Sequence, residues 1–198
     1  MINKNNILYN YYYASRLFFC IFIISMITRE YKILLFWVPL LFFFRSKNIQ
    51  LNSGSFISPS DGKITNIYHK NKNTIMNIYL SPFDHHYMIA PVDCEVISQK
   101  YIINNNESEN LSITFRSIDK NYEFELQQIV MNLGDIGYLP NILYKNRCIS
   151  FVKPGDILKQ GEKYGLIRFG SCMKYIVPKN VFNKNNNIGD KLSLGQIL

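Results

Sequence analysis

From Phe56 onward the sequence breaks into short runs that alternate apolar and polar residues, each bounded by Gly, Pro, Asn or Asp. They read ITNIYH, TIMNIYL, EVISQKYII, LSITFRSI, YEFELQQIVM, CISFV, GLIRFG and KYIVP. A period of two marks a strand with one buried face, and eight such runs at this spacing predict an antiparallel, mostly β domain. No stretch after residue 50 sustains a 3.6-residue apolar period, so helix is expected only before it.

A turn pattern repeats inside that domain. Gly155-Asp156 followed by Gly161, and Gly189-Asp190 followed by Gly195, share the form GDxxxxG. This is hairpin chemistry, and such paired hairpins recur in lipoyl-type barrels and sandwiches. The fold expected for residues 51–198 is therefore an antiparallel β sandwich or barrel-like domain. Asn104 to Asn106 and Asn185 to Asn187 read as exposed polar loops.

Residues 17–27, LFFCIFIISMI, and 33–44, ILLFWVPLLFFF, are apolar runs of eleven and twelve residues. A spanning helix needs about 20, so neither run spans alone. They predict one or two hydrophobic helices, either a hairpin dipping into the bilayer or interfacial helices in one leaflet. Arg16, Arg29, Lys32, Arg45 and Lys47 flank them as snorkelling anchors. No small-residue cleavage site follows Met26, so this region is expected to stay with the protein rather than leave as a signal peptide. The chain thus divides into a membrane-associating region, 1–50, and a β-rich domain, 51–198.

A net charge of +8 and a pI of about 9.2 imply an anionic partner. Beside the apolar N-terminal region a membrane surface fits that charge, and nucleic acid does not. Cys20, Cys94, Cys148 and Cys172 are scattered, with neither zinc spacing nor a disulfide framework, which suits a reducing environment. The expected location is the cytoplasmic face of the cell membrane, peripheral or monotopic.

Within 161–178, GEKYGLIRFGSCMKYIVP, two alternating runs meet at Gly170-Ser171. Alone, a Gly-Ser dipeptide between strands is a turn. Three further stretches stand in order with it: FFFRSKN at 42–48, SPSDGKI at 58–64 and SPFDHHYMIAPVD at 81–93. A serine hydroxyl is a poor nucleophile until an oriented base takes its proton, and histidine suits that work near neutrality. The histidines are His69, His85 and His86. If a strand continues through them, His86 shares a face with Asp84 and His85 points the other way. His69, amid Lys70 and Lys72, reads as a solvated loop residue.

In order and spacing these four motifs resemble the short prokaryotic form of the phosphatidylserine decarboxylases, over nearly the whole chain from about residue 30. The resemblance implies a self-processing, pyruvoyl-dependent lyase. In that scheme the Ser171 hydroxyl attacks the Gly170 carbonyl, and elimination and hydrolysis follow. They leave a pyruvoyl group in place of Ser171 and cut the chain into 1–170 and 171–198, which stay associated. The catalytic residues it carries over are Ser171, His86 and the orienting Asp61. The pyruvoyl carbonyl forms a Schiff base with the amine of phosphatidylserine and draws electrons as carbon dioxide leaves, giving phosphatidylethanolamine, with His86 as proton donor. No metal and no diffusible cofactor are implied, and no glycine-rich phosphate loop points to pyridoxal chemistry. A homodimer is an open assembly.

The chain departs from the family at several positions. Long members carry a second histidine where Ile89 stands, Cys172 replaces the usual Arg or Thr, and Cys94 replaces a glycine. Arg147 alone represents an arginine pair. These departures leave open a non-catalytic, membrane-tethered, lipid-binding β domain. A pyruvoyl decarboxylase for a soluble amino acid is disfavoured by the apolar N-terminal runs.

Overall fold

The structure is a computed structural model that describes residues 19–30, 32, 49, 54–81, 83–103, 109–130, 147–167, 171–182 and 186–198. The chain falls into two compact units, 1–47 and 48–198. In the first, residues 19–28 are helical, and Arg29 at φ 56° ends the helix in the left-handed conformation that helix termini favour. No described helix is long and apolar enough to cross a membrane. The second apolar run at 33–44, its flanking Arg45 and Lys47, and Arg16 lie outside the described residues, as do Asn104 to Asn106 and Gly170.

The second unit is antiparallel β, as the period-two pattern predicts. Its strands are β1 (Gly62–Lys70), β2 (Asn73–Leu80), β3 (Tyr87–Ile89), β4 (Cys94–Ile103), β5 (Glu109–Ser117), β6 (Glu123–Val130), β7 (Cys148–Ser150), β8 (Ile157–Leu158), β9 (Lys163–Ile167), β10 (Ser171–Pro178) and β11 (Lys191–Leu192). Eight of them coincide with the eight alternating runs. The other three, β3, β8 and β11, are two or three residues long, too short for alternation to show.

Two sheets form. The larger has the order β11-β1-β2-β10-β6-β5-β4-β8, and the smaller the order β3-β9-β7. One hydrophobic cluster draws on both, with Ile64, Ile78, Leu111, Phe115, Leu126, Met173 and Tyr175 from the larger and Met88, Cys148, Tyr164 and Ile167 from the smaller. Phe115 meets Tyr164 edge-on at 5.2 Å between ring centroids. The sheets are thus layers of a sandwich. The large sheet stays open, with two edge strands, and does not close into a barrel.

The repeated GDxxxxG pattern builds those two edges. Gly155, Gly161, Gly189 and Gly195 all have positive φ, which only glycine adopts without strain. Asp156 and Asp190 each accept a hydrogen bond from a backbone N–H three residues earlier, of Lys153 and Asn187, at 2.9 Å. Each unit then contributes a two-residue strand, β8 on β4 and β11 on β1. Very short edge strands blunt a sheet against further pairing.

Candidate functional site

The site grows from the turn that precedes β1. Ser58 and Ser60 are fully buried, and Ser58 Oγ donates to the Ser60 carbonyl at 2.7 Å. The Ser60 hydroxyl lies 2.5 Å from the hydroxyl of Tyr175, on β10. Burial pushes the Tyr175 phenol up to about 12, so it stays a neutral hydroxyl and ties β10 to the turn carrying Asp61. Immediately after Asp61 the chain enters β1 through Gly62 at φ 144°, where a Cβ would lie 2.6 Å from the Tyr79 carbonyl oxygen. Only glycine allows that approach, and it presses Asp61 against the end of β2.

The Asp61 carboxylate is 8% exposed and meets three donors. Oδ1 accepts the Leu194 N–H at 2.5 Å, and Oδ2 accepts the His85 N–H at 3.2 Å and a short hydrogen bond from His85 Nδ1. Burial by itself raises the carboxyl, but the His85 and Leu194 hydrogen bonds outweigh it and hold it down at about 2. Asp61 is therefore ionised at neutral pH. Because a carboxylate only accepts, His85 Nδ1 carries a proton, which leaves Nε2 as the ring nitrogen able to act as a base.

His86 is 1% exposed, and its Nδ1 donates to the Asp84 carbonyl at 2.8 Å. Burial lowers its pKa, only partly opposed by that carbonyl and by the Asp84 charge, so the ring is kept neutral. The strand that would put His86 on the face of Asp84 and turn His85 away does not run through the two histidines. The Ser81 N–H bonds to Asp84 Oδ2 at 2.7 Å and the Asp84 N–H to the Ser81 carbonyl at 3.0 Å, and β3 begins only at Tyr87. Without extended backbone the alternation has no basis, and the imidazole that Asp61 holds is that of His85. The doubled histidine of SPFDHHY was the available signal for it.

Residue 171 opens β10, with its backbone paired to Leu80 on β2. On the other side of β2, Lys63 of β1 pairs with Tyr79. Asp61 and residue 171 thus stand at the same end of the sheet, two strands or roughly 10 Å apart. On the smaller sheet the Ile167 N–H donates to the His86 carbonyl at 3.0 Å. Three of the four sequence motifs therefore meet at one end of the sandwich. The fourth, at 42–48, and Gly170 lie outside the described residues.

The remaining candidates are elsewhere or built in. His69 lies near the far end of β1 rather than in a loop, roughly 23 Å along the strand from Gly62, with Nδ1 3.0 Å from the Thr74 hydroxyl. Cys94 is buried at the start of β4, and burial pushes its thiol up to about 12. Cys172 lies within β10 with its thiol raised by burial, which leaves it a poor nucleophile. Arg147 is buried beside Glu109, its Nε 3.8 Å from Oε1, while the Arg147 and Cys148 N–H groups donate to Oε2 at 2.6 and 3.2 Å. Among the described residues no group of three or more His, Cys, Asp and Glu side chains is arranged to hold a metal.

An antiparallel β sandwich carrying a buried aspartate–histidine pair at the end of a strand has groups able to hold and pass on a proton. Among known proteins, the family model for phosphatidylserine decarboxylase matches residues 39–198. A phosphatidylserine decarboxylase proenzyme of Carboxydothermus hydrogenoformans is 32% identical, over 73% of this chain and 75% of the relative. A putative archaetidylserine decarboxylase proenzyme of Archaeoglobus fulgidus is 28% identical, over 78% and 74%. A phosphatidylserine decarboxylase proenzyme of Streptomyces avermitilis is 29% identical, over 79% and 71%. No solved structure matches. The chain belongs to the phosphatidylserine decarboxylase family and is an enzyme of the decarboxylase class.

Proposed function

We propose that this chain decarboxylates phosphatidylserine to phosphatidylethanolamine, using a pyruvoyl group it makes by breaking itself between Gly170 and Ser171. The observation that carries the reading is the convergence of Asp61, His85 and His86 on the end of the sheet where residue 171 begins β10.

In the first stage Asp61 fixes His85, and His85 Nε2 takes the proton of the Ser171 hydroxyl as that oxygen attacks the Gly170 carbonyl. The Gly170–Ser171 C–N bond breaks, an ester forms, and the proton passes to the released amine. Loss of the Ser171 α-proton then expels the carboxylate of Gly170, and water replaces the nitrogen as ammonia, leaving the ketone. The fold suits a group at this place. From Cys172 onward β10 is paired to β2 on one side and β6 on the other, so a new terminus at 171 stays held by strand pairing. The pyruvoyl carbonyl supplies the electron sink for loss of carbon dioxide. His86, the second buried imidazole, supplies the proton that replaces it in the form that also carries a proton on Nε2.

The same pairing supports lasting association of the two pieces. The piece 171–198 provides an interior strand and an edge strand of the large sheet, the Leu198 N–H bonds to the Phe56 carbonyl, and the Leu194 N–H holds Asp61. We further propose that the enzyme works at the cytoplasmic face of an anionic membrane, peripherally or monotopically, with a homodimer as an open assembly. In support, the net charge is +8, and the helix at 19–28 leaves Phe19 62% and Ile27 76% exposed.

The test is intact-mass analysis of purified protein and of Ser171→Ala. The expected result is two pieces, 1–170 and 171–198, the smaller with a blocked, hydride-sensitive terminus, and a single unbroken species for the variant. A wild-type chain that stays whole would leave the lipid-binding reading in its place.

A further inference from the structure

Gln128 lies on β6 and is fully buried. Among the described residues neither its Nε2 nor its Oε1 has a hydrogen-bonding partner. A buried carboxamide without partners has lost its water on both atoms and gained nothing in return, so it is a costly group to keep in a core. On the backbone, the Cys148 thiol donates to the Gln128 carbonyl at 3.5 Å.

Two registers fix where this amide sits. On the large sheet Gln128 pairs with Met173, two residues along β10 from residue 171, a diagonal separation of roughly 7–8 Å. On the small sheet the amide abuts Gly165, where a Cβ would lie 2.3 Å from Nε2. Gly165 pairs with Met88, two residues after His86. The carboxamide therefore bridges the two layers one step deeper than both residue 171 and His86, as the floor of the proposed site. The absence of a side chain at Gly165 is what makes room for it.

We infer that Gln128 binds the α-amino acid end of the substrate headgroup. This rests on the decarboxylase reading of the same site. A carboxamide offers one donor and one acceptor side by side, and an α-amino acid presents the complement, a carboxylate that accepts and an N–H that donates. A phosphate presents only acceptors and leaves Oε1 unmet. The serine group is also the outermost part of the lipid, so it reaches furthest into a site entered headgroup first. A neutral amide has a further advantage over arginine here. It orients the carboxylate without the strong ground-state attraction that a cation would exert on a group that must leave uncharged.

The test uses the full, self-processed chain with Gln128→Met, which keeps size and removes both polar atoms. Precursor cleavage, kcat/KM for phosphatidylserine in mixed detergent micelles, and Tm are measured together. Expected are cleavage within about twofold of wild type, a kcat/KM lowered about 10–100-fold as one charge-assisted hydrogen bond implies, and a Tm equal to or above wild type. A purely structural glutamine would instead lower Tm. A kcat/KM within about threefold, or a variant that is destabilised or uncleaved, overturns the inference. A wild-type chain that neither cleaves nor decarboxylates overturns the decarboxylase reading as well. An active wild type beside an unimpaired variant overturns this inference alone.

Discussion

Two buried carboxylates flank the start of β10, and they have been put to different uses. Asp61 lies two strands away through β2. Glu109 lies two strands away through β6, paired with Val130, whose neighbour Ile129 pairs with Cys172. Both accept two backbone N–H groups and both face a basic side chain. Glu109 faces the guanidinium of Arg147, which never gives up its proton, so the pair is fixed charge inside the fold. Asp61 faces an imidazole, whose second ring nitrogen can accept a proton. The same solution to burying a carboxylate stands beside a guanidinium in one place and an imidazole in the other, and in the proposed mechanism only the second moves a proton.

The largest effects expected are those that separate the two. Asp61→Asn leaves His85 unoriented and slows precursor cleavage about 10²–10⁴-fold, the range for general base catalysis. Glu109→Gln removes the carboxylate charge beside the buried guanidinium and lowers stability by about 3–5 kcal/mol, with cleavage in the folded fraction within about threefold of wild type. Intact-mass time courses and denaturant unfolding of both variants read the contrast. The reverse pattern would make Glu109 the working carboxylate.

The two histidines sharpen the same contrast. His85→Gln is expected to block cleavage, while His86→Gln is cleaved but loses turnover of phosphatidylserine by about 10²-fold or more. Loss of cleavage in His86→Gln alone would return the base to His86.

The pH dependence of turnover tests the proton donor. Turnover needs a proton on His86, whose pKa burial holds below 6.5, so turnover falls as pH rises through that region. A turnover rate of the mature enzyme that rises with pH between 5 and 8 would argue against His86 in that role. The Asp61 carboxyl, held at about 2, adds stability that is full above about pH 4 and is lost as the pH falls through about 2.

The smallest effect belongs to the tether. Tyr175→Phe removes the hydroxyl that reaches Ser60 and should cost about 1 kcal/mol, with cleavage slowed only a few-fold. A change in stability with no change in cleavage would confine that hydroxyl to the core.

Much of this protein was legible in one dimension. Period-two runs locate eight of eleven strands, since alternation needs only a buried face and a wet one. The GDxxxxG turns were legible too, because a positive φ selects glycine wherever it occurs. The short β3 was not, and with it went the orientation of His85 and His86. Two or three residues carry no period, and just before β3 the chain is held by the Asp84 side chain on the Ser81 N–H rather than by any apolar pattern.

By itself the sequence determined the residue types, the order of the motifs and the strands that carry them, because local backbone preference and side-chain alternation are written along the chain. Only the tertiary structure decided that Asp61 meets His85 and the Leu194 N–H, and that the Gln128 amide lies between the two sheets with no partner among the described residues. Those contacts join residues 24 and 133 positions apart in the first two cases. Their strength comes from exclusion of water, which exists only once the layers have closed.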